Sequence, residues 1–311
     1  MGEGGYRQIN KSLNICAFEE YLASQQSRLP RLADVEQLTP RVLRVLGQNP
    51  GKFTLQGTNT YIVGTGSQRL IIDTGQGIPE WATLIDSTLR ASSFGLSHVF
   101  LTHWHGDHTL GIPDLLRLYP DLADAIYKNR PNKSQHPIED GQVFHVEGAT
   151  VRAVHTPGHS DDHMCFILEE ENAMFTGDNI LGHGSSAVEE LATYMATLRK
   201  MAAQGCVRGY PAHGIVIDNL PTKISNELAQ KVRREAQVLR ALSTCAKEAG
   251  RMAALTVQEL VSAIHGDGLD AEVKAMAIEP FMEEVLRKLA EDGKVAFRVK
   301  GGVKKWFSIE D

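Results

Sequence analysis

Within six residues, His103-Trp104-His105-Gly106-Asp107-His108 offers four side chains able to bind a metal ion. They follow an apolar stretch, His98-Val-Phe-Leu-Thr102, that reads as a strand, and side chains leaving a strand end can converge on one point. Imidazole and carboxylate donors without thiolate suit zinc, iron or manganese and exclude a closed cysteine-type structural zinc site. A polar loop with incidental histidines is the bland alternative. It accounts for a lone histidine better than for His-x-His-x-Asp-His. Three later residues share the setting just beyond a strand: His159 in His155-Thr-Pro-Gly-His159, Asp178 in Met174-Phe-Thr-Gly-Asp178, and His213 in Tyr210-Pro-Ala-His-Gly214. Ten of the 12 histidines lie between His98 and His183, so ligand-type residues concentrate where most of these candidates fall.

The elements that must position them are β-branched runs punctuated by glycine: Tyr61–Gly64, Arg69–Asp73, Ser97–Thr102, Thr150–His155, Met164–Leu168, Ala173–Thr176 and Cys206–Tyr210. Among them, Val188–Gln204 keeps an apolar stripe at helical spacing until Gly205 stops it. A mixed α/β domain over residues 41–221 follows. Residues 1–40 are polar, end at Pro30 and Pro40, and read as an extension with one short helix near Ala17–Ser24. After Pro221 the pattern turns helical, at Asn226–Ala249, Thr256–Ile264, Glu272–Ala277 and Pro280–Glu291. It then closes with strands Lys294–Val299 and Val303–Ile309 across Gly301-Gly302. Residues 222–311 therefore read as a helical, winged-helix-like module, with a helical cap bearing a β-edge as the alternative. The stripe Met276, Ile278, Phe281, Met282, Val285 and Leu289 is read as core rather than as a docking face.

With 42% hydrophobic and 23% charged residues the chain is globular rather than disordered. Thirty-two basic against 38 acidic residues give −6, which provides no general attraction for nucleic acid or an anionic membrane. No stretch reaches the roughly 18 apolar residues of a membrane span, and the N-terminus lacks a secretory core. Cys16, Cys165, Cys206 and Cys245 form no CxxC pair, so reduced thiols and a cytoplasmic location are expected.

In this order, the motifs resemble the five-part signature of the metallo-β-lactamase fold, from Gly57 to Gly214, with Asp73 in Ile71-Ile-Asp-Thr-Gly75 matching the first motif. The resemblance implies a four-layer αββα sandwich carrying two divalent metal ions, zinc foremost, with manganese or iron as alternatives. It implies that His103, His105 and His159 hold one ion, that Asp107, His108 and His213 hold the other, and that Asp178 bridges them. Two such ions roughly 3.5–4 Å apart share a hydroxide and polarise a carbonyl, so no protein nucleophile is needed. Accordingly there is no G-x-S-x-G elbow. Asp107 becomes the catalytic carboxylate that orients the hydroxide and carries a proton. Asp73 either fixes the loop or a ligand ring, or serves as a turn or N-cap residue before Gly75. His163 is a candidate support for His159, and His183 for the cleft wall. His155 reads as packed, and His98, His136, His145 and His265 carry no assigned role.

The stretch Leu55-Gln-Gly-Thr-Asn-Thr-Tyr-Ile-Val-Gly64, the His-Trp-His-Gly-Asp-His core and the tail resemble the β-lactamase-like protein 2 family near the glyoxalase II branch. Leu181-Gly-His-Gly-Ser-Ser186 and the polar N-terminal segment are similar to fungal thioesterases that serve non-reducing polyketide synthases. That likeness implies hydrolysis of an aromatic polyketide thioester, with the synthase's acyl carrier protein domain as partner. It leaves the oligomeric state open. A glyoxalase II-like hydrolase of glutathione thioesters would present Lys231, Arg233, Arg234 and Arg240 to the glutathione carboxylates. A single-strand endoribonuclease is a further alternative, yet residues before Thr222 carry 17 basic against 24 acidic residues, so nucleic acid is not expected. The hairpin cations Lys294, Arg298, Lys300, Lys304 and Lys305 suit an acidic carrier protein as well as a phosphate backbone. β-Lactam hydrolysis is disfavoured by the cytoplasmic expectation.

Overall fold

A computed structural model describes residues 29–249, 253–266, 268 and 274–309. The helix expected near Ala17–Ser24, most of the 1–40 extension and the start of Glu272–Ala277 lie outside the described residues, as does the Met276 side chain.

A seven-stranded sheet runs in chain order through β1 (Val35–Thr39), β2 (Val42–Leu46), β3 (Asn59–Val63), β4 (Gln68–Ile72), β5 (Gly95–Leu101), β6 (Ile126–Lys128) and β7 (His136–Pro137). It is antiparallel up to β4 and parallel from β4 to β7. A five-stranded sheet has the order β12-β11-β10-β9-β8, from β8 (Val143–Val146), β9 (Ala149–His155), β10 (Met164–Leu168), β11 (Ala173–Gly177) and β12 (Arg208–Pro211). Alternation sends one face of each sheet inward. Val42, Tyr61, Leu70, Ile72 and Phe100 of the first sheet meet Val151, Ala153, Phe166, Phe175 and Tyr210 of the second in one core.

The outer face of the first sheet is covered by α1 (Pro79–Ser92), whose Trp81, Ala82, Ile85 and Leu89 are buried, and by α3 (Ile112–Leu118). A single turn, α2 (Gly106–Thr109), precedes α3. On the second sheet, α4 (Leu191–Ala203) reaches β9, where Lys200 Nζ donates to the His155 carbonyl at 2.8 Å and Arg152 Nη1 donates to Gln204 at 2.9 Å. The layers are thus helix, sheet, sheet, helix.

The expected strands all form, each end within two residues of its predicted position. The chain also forms β1, inside the segment read as an extension. β1 is largely exposed, so it lacks a local apolar pattern. It is held by pairing with β2 and by the ion pair of Glu36 with buried Arg44. Pro221 stands in the first turn of α5 (Leu220–Ala249), where a missing N–H costs nothing.

Two compact units divide the chain. One holds the sheets and residues 196–225. The other holds residues 190–195 and the described residues from 226 onward. In the latter, α5, α6 (Val257–His265) and α7 (Glu279–Glu291) share a core with β13 (Val295–Lys300) and β14 (Val303–Ser308). Met282, Val285 and Leu289 are buried there, with Ile278 and Phe281 packed against them, so this stripe is core. Thr256 and Glu259 form a capping box that starts α6.

Candidate metal centre

All seven proposed ligands lie at or just past strand or turn ends of the two-sheet unit. His103 and His105 follow β5, Asp107 and His108 lie in the α2 turn, His159 follows β9, Asp178 follows β11, and His213 follows β12. Their donor atoms form two groups, His103/His105/His159/Asp178 and Asp107/His108/Asp178/His213, each with all donors within 4.8 Å of one another. Asp178 belongs to both.

In the first group His103 Nε2 lies 2.8 Å from His105 Nδ1, and His159 Nε2 lies 3.2 and 3.0 Å from the same two nitrogens. In the second, His213 Nε2 is 3.2 Å from both Asp107 Oδ2 and Asp178 Oδ1. His108 Nε2 is 3.4 and 3.5 Å from the same two oxygens. The two oxygens of Asp178 face opposite groups, since Oδ2 lies 3.5 Å from His159 Nε2. His108 Nε2 and Asp178 Oδ1 are buried without a hydrogen-bond partner. Unsatisfied donor atoms buried this deeply are costly unless something binds them, and converging imidazole and carboxylate atoms fit a divalent cation. Asp107 is the most open of the set, its side chain 15% exposed against 4% for Asp178.

Hydrogen bonds at the far side of the His103, His108 and His159 rings fix which nitrogen faces inward. The His108 Nδ1–H donates to Asp73 Oδ2 at 2.8 Å, and the His159 Nδ1–H donates to the Ala187 carbonyl at 2.9 Å. The Thr102 hydroxyl donates to Asp73 at 2.9 Å and accepts from His103 Nδ1 at 2.9 Å, while the Thr102 N–H donates to Asp73 Oδ1 at 2.8 Å. Asp73 therefore orients ligands. It is not an N-cap, since α1 is preceded by Ile78, and its φ of 61° places it in the left-handed region that aspartate tolerates better than most residues.

His163 serves a different ligand from the one expected. Its Nε2 accepts the backbone N–H of Asp178 at 3.1 Å, and its Nδ1 faces the Thr156 hydroxyl at 3.0 Å. Gly177, with φ 51°, permits this approach, because a Cβ there would stand 2.5 Å from His163 Nε2. His183 is exposed, although its backbone passes beside Gly214. His155 is half-buried and bonded to the Asp161 carbonyl at 3.1 Å, away from the donors.

Burial first, then neighbouring His108 and His159, holds His103 well below the usual histidine range; burial also lowers His159 and pushes His105 down to about 3. These imidazoles are neutral and present lone pairs. In the second group burial works in the same direction but is outweighed. Asp107, Asp178 and Asp73 raise His108 well above its ordinary value, and Asp178 and Asp107 raise His213 to about 9. Against the effect of burial, the same histidines hold both carboxyls far below the usual carboxylate range.

Several supporting residues carry no motif. Asn59 Nδ2 donates to the Pro211 and Gly214 carbonyls, each at 2.8 Å, clamping the His213 loop onto β3. Buried Lys128 pairs with buried Asp162, which also accepts from the Ser160 hydroxyl at 2.8 Å beside His159. Trp104 turns its ring edge-on to His105, 4.6 Å between centroids. A separate cleft of about 380 Å³, lined by Thr39, Glu171, Val207, Arg208 and Asp218, contains none of these residues.

Two stacked sheets with histidine and aspartate donors at their strand ends define a metallohydrolase architecture. The chain belongs to the metallo-beta-lactamase superfamily, which matches residues 53–213. Over 311 residues it is 71% identical to the atrochrysone carboxyl ACP thioesterase AacuM of Aspergillus aculeatus, covering 99% of this chain and 100% of that protein. It is also 71% identical to the atrochrysone carboxyl ACP thioesterase AgnL7 of Paecilomyces divaricatus, covering 99% and 98%. The crystal structure of a beta-lactamase domain protein from Burkholderia ambifaria shares the fold, with a TM-score of 0.67 at 19% identity over 90% of this chain and 95% of that one. No helix among the described residues is long and apolar enough to cross a membrane.

Proposed function

We propose that this chain is a dinuclear metal-dependent thioesterase that releases an aromatic polyketide acid from the acyl carrier domain of a non-reducing polyketide synthase. The observation that carries the reading is the sharing of Asp178 between two donor groups, in a chain 71% identical along its length to carrier-protein thioesterases. His103, His105 and His159 would hold one ion and Asp107, His108 and His213 the other, with Asp178 available to both. The donor set suits zinc foremost, with manganese and iron as alternatives. When bound, the ions supply a Lewis acid for the thioester carbonyl and make a water acidic enough to lose its proton near neutral pH.

The chain's own residues do the rest. Asp107, ionised and the most exposed donor, accepts the proton of the attacking water and passes it to the departing sulfur. A thiol has a pKa of about 8.5, so the leaving group needs no stronger acid. His108 and His159 are kept in their inward-facing tautomers by Asp73 and the Ala187 carbonyl. The histidine ligands are each 4% exposed or less, so their rings are held in place by packing. A cytoplasmic location accompanies this reading, supported by the free thiols Cys165, Cys206 and Cys245.

The glyoxalase II-like alternative is weakened by one observation. Lys231 is only 5% exposed and lies 3.9 Å from Glu227, while Arg234 Nη1 is 3.1 Å from His265. Two of the four cations that would meet glutathione carboxylates are thus engaged within their own unit. The test compares turnover of an aryl-acyl carrier-protein thioester, S-lactoylglutathione and single-stranded RNA, beside metal analysis. We expect two equivalents of divalent metal and fastest turnover of the carrier thioester. Faster glutathione-thioester or RNA cleavage overturns the substrate assignment, and less than one equivalent of metal overturns the site.

A further inference from the structure

Among the described residues His163 is the one buried histidine outside the two donor groups. Its ring packs against the first group, with its centroid 5.1 Å from that of His103 and 5.9 Å from that of His159. Its backbone ties together the segments that carry those two ligands. The His163 carbonyl accepts the Thr156 N–H at 2.9 Å, shortly before His159, and the Met164 N–H donates to the Thr102 carbonyl at 2.7 Å, directly before His103. The side chain reaches a third segment, where Nε2 accepts the Asp178 N–H at 3.1 Å. An amide N–H can only donate, so Nε2 carries no hydrogen and the imidazole carries its hydrogen on Nδ1. That hydrogen meets the Thr156 hydroxyl at 3.0 Å, and the hydroxyl donates onward to Cys165 Sγ at 3.3 Å. Asn179 Nδ2 stands 2.9 Å from the same Nδ1 and donates to the Thr156 carbonyl at 2.7 Å. The Gly177–Asp178 peptide is gripped at its other end as well, since the Gly177 carbonyl accepts the Ala212 N–H at 3.1 Å. One peptide plane is thus held by His163 on the side of the first group and by the neighbour of His213 on the side of the second.

We infer that His163 is a positioning residue for the shared carboxylate: it fixes the Gly177–Asp178 peptide plane, and so keeps Asp178 Oδ1 toward His108 and His213 while Oδ2 faces His159. The inference rests on the dinuclear reading of the site and names the residue that aims its shared ligand. Because a peptide unit is planar, holding both its N–H and its carbonyl restricts the direction in which the Asp178 side chain leaves the backbone. The hydroxyl of Thr156 is part of the device. Without it the ring is free to carry its hydrogen on Nε2, and a donor would then face the Asp178 N–H.

The test uses the full chain, with zinc titrated against a chelator, a melting curve of each metal-free protein, and long-range proton–nitrogen NMR spectra of the imidazoles. Phenylalanine keeps the ring without its nitrogens, whereas the amide oxygen of glutamine can stand where Nε2 stands. We expect His163→Phe to weaken zinc by about 10–100-fold, and His163→Gln to recover most of that loss. Thr156→Val weakens zinc in the same direction, and Thr156→Ser restores it. In the wild-type spectra His163 carries its hydrogen on Nδ1. A hydrogen on Nε2 overturns the proposal, as does unchanged zinc affinity in His163→Phe. So does a Gln variant that melts like wild type yet binds zinc as poorly as the Phe variant, since the acceptor would then be irrelevant. Should His163→Phe fail to fold, the Thr156 pair and the position of the hydrogen decide. Failure of the dinuclear reading shows differently, as wild-type protein that takes up less than one equivalent of zinc while His163 still carries its hydrogen on Nδ1.

Discussion

The two donor groups that share Asp178 are built on opposite electrostatic plans. His103, His105 and His159 form a ring of neutral imidazoles, kept neutral chiefly by burial and backed by uncharged partners, the Thr102 hydroxyl and the Ala187 carbonyl. His108 and His213 sit among Asp107, Asp178 and Asp73, and this carboxylate charge draws protons onto the histidines. One group is ready to accept a cation, whereas the other must first lose protons. Similar ligand types in adjacent positions can therefore differ in charge state because of the carboxylates that stand among them.

The largest expected effect comes from removing what the groups share. Asp178→Ala should release both ions and lower kcat/KM by about a thousandfold or more, since several kcal/mol of metal assistance are lost. Retention of two equivalents by elemental analysis would show that the groups are independent. Next is Lys128→Met, which strands Asp162 beside the first group. Breaking a buried pair costs about 3–5 kcal/mol, read as a lower melting temperature, with weaker metal retention at the His159 side. A variant as stable as wild type would remove Lys128 from the support of that loop.

Asp73→Asn acts on the second group. It should weaken one of the two ions by about 10–100-fold in chelator competition, because the orienting carboxylate of His108 is lost. Equal weakening of both ions would mean that Thr102, which Asp73 also holds, couples them. The smallest effect is a proton count. Since His213 is raised to about 9, metal-free protein carries its proton below that pH, and metal uptake must expel it. Titration with metal near pH 7 should therefore release protons on binding of the second ion and close to none for the first, with the share from His213 fading as pH rises through about 9. Identical release for both ions would erase the contrast.

The ligands were legible because metal chemistry restricts residue types and because strand ends gather them. His103 to His108 announce themselves by density, and His159, Asp178 and His213 by position after apolar runs. The supports were not legible. Thr102 is one threonine at the end of a strand, and Lys128 and Asp162 meet only when β6 and the loop after β9 come together, 34 residues apart. The fold shows the same division. β10 is the apolar run Met164–Leu168, whereas β1 is exposed and depends on β2, and β2 conceals itself by burying Arg44 amid its apolar residues. α1 has a buried face of Trp81, Ala82, Ile85 and Leu89, but its role is defined only by the sheet beneath it.

Asn59 grips the carbonyls of Pro211 and Gly214 across 152 and 155 residues, so the loop bearing His213 is secured by a strand made far earlier. Closing a chain segment of that length costs about 4 kcal/mol of entropy by the logarithmic scaling of loop closure. Nothing local repays it until both sheets have docked. The second donor group is thus an endpoint of folding rather than a nucleus. A nascent chain can assemble the His103–His108 turn early, yet it completes the centre only after β12 has formed and returned to β3. Metal capture should accordingly report on completed folding, and a chain truncated before His213 should fail to hold the second ion however well its first sheet is formed.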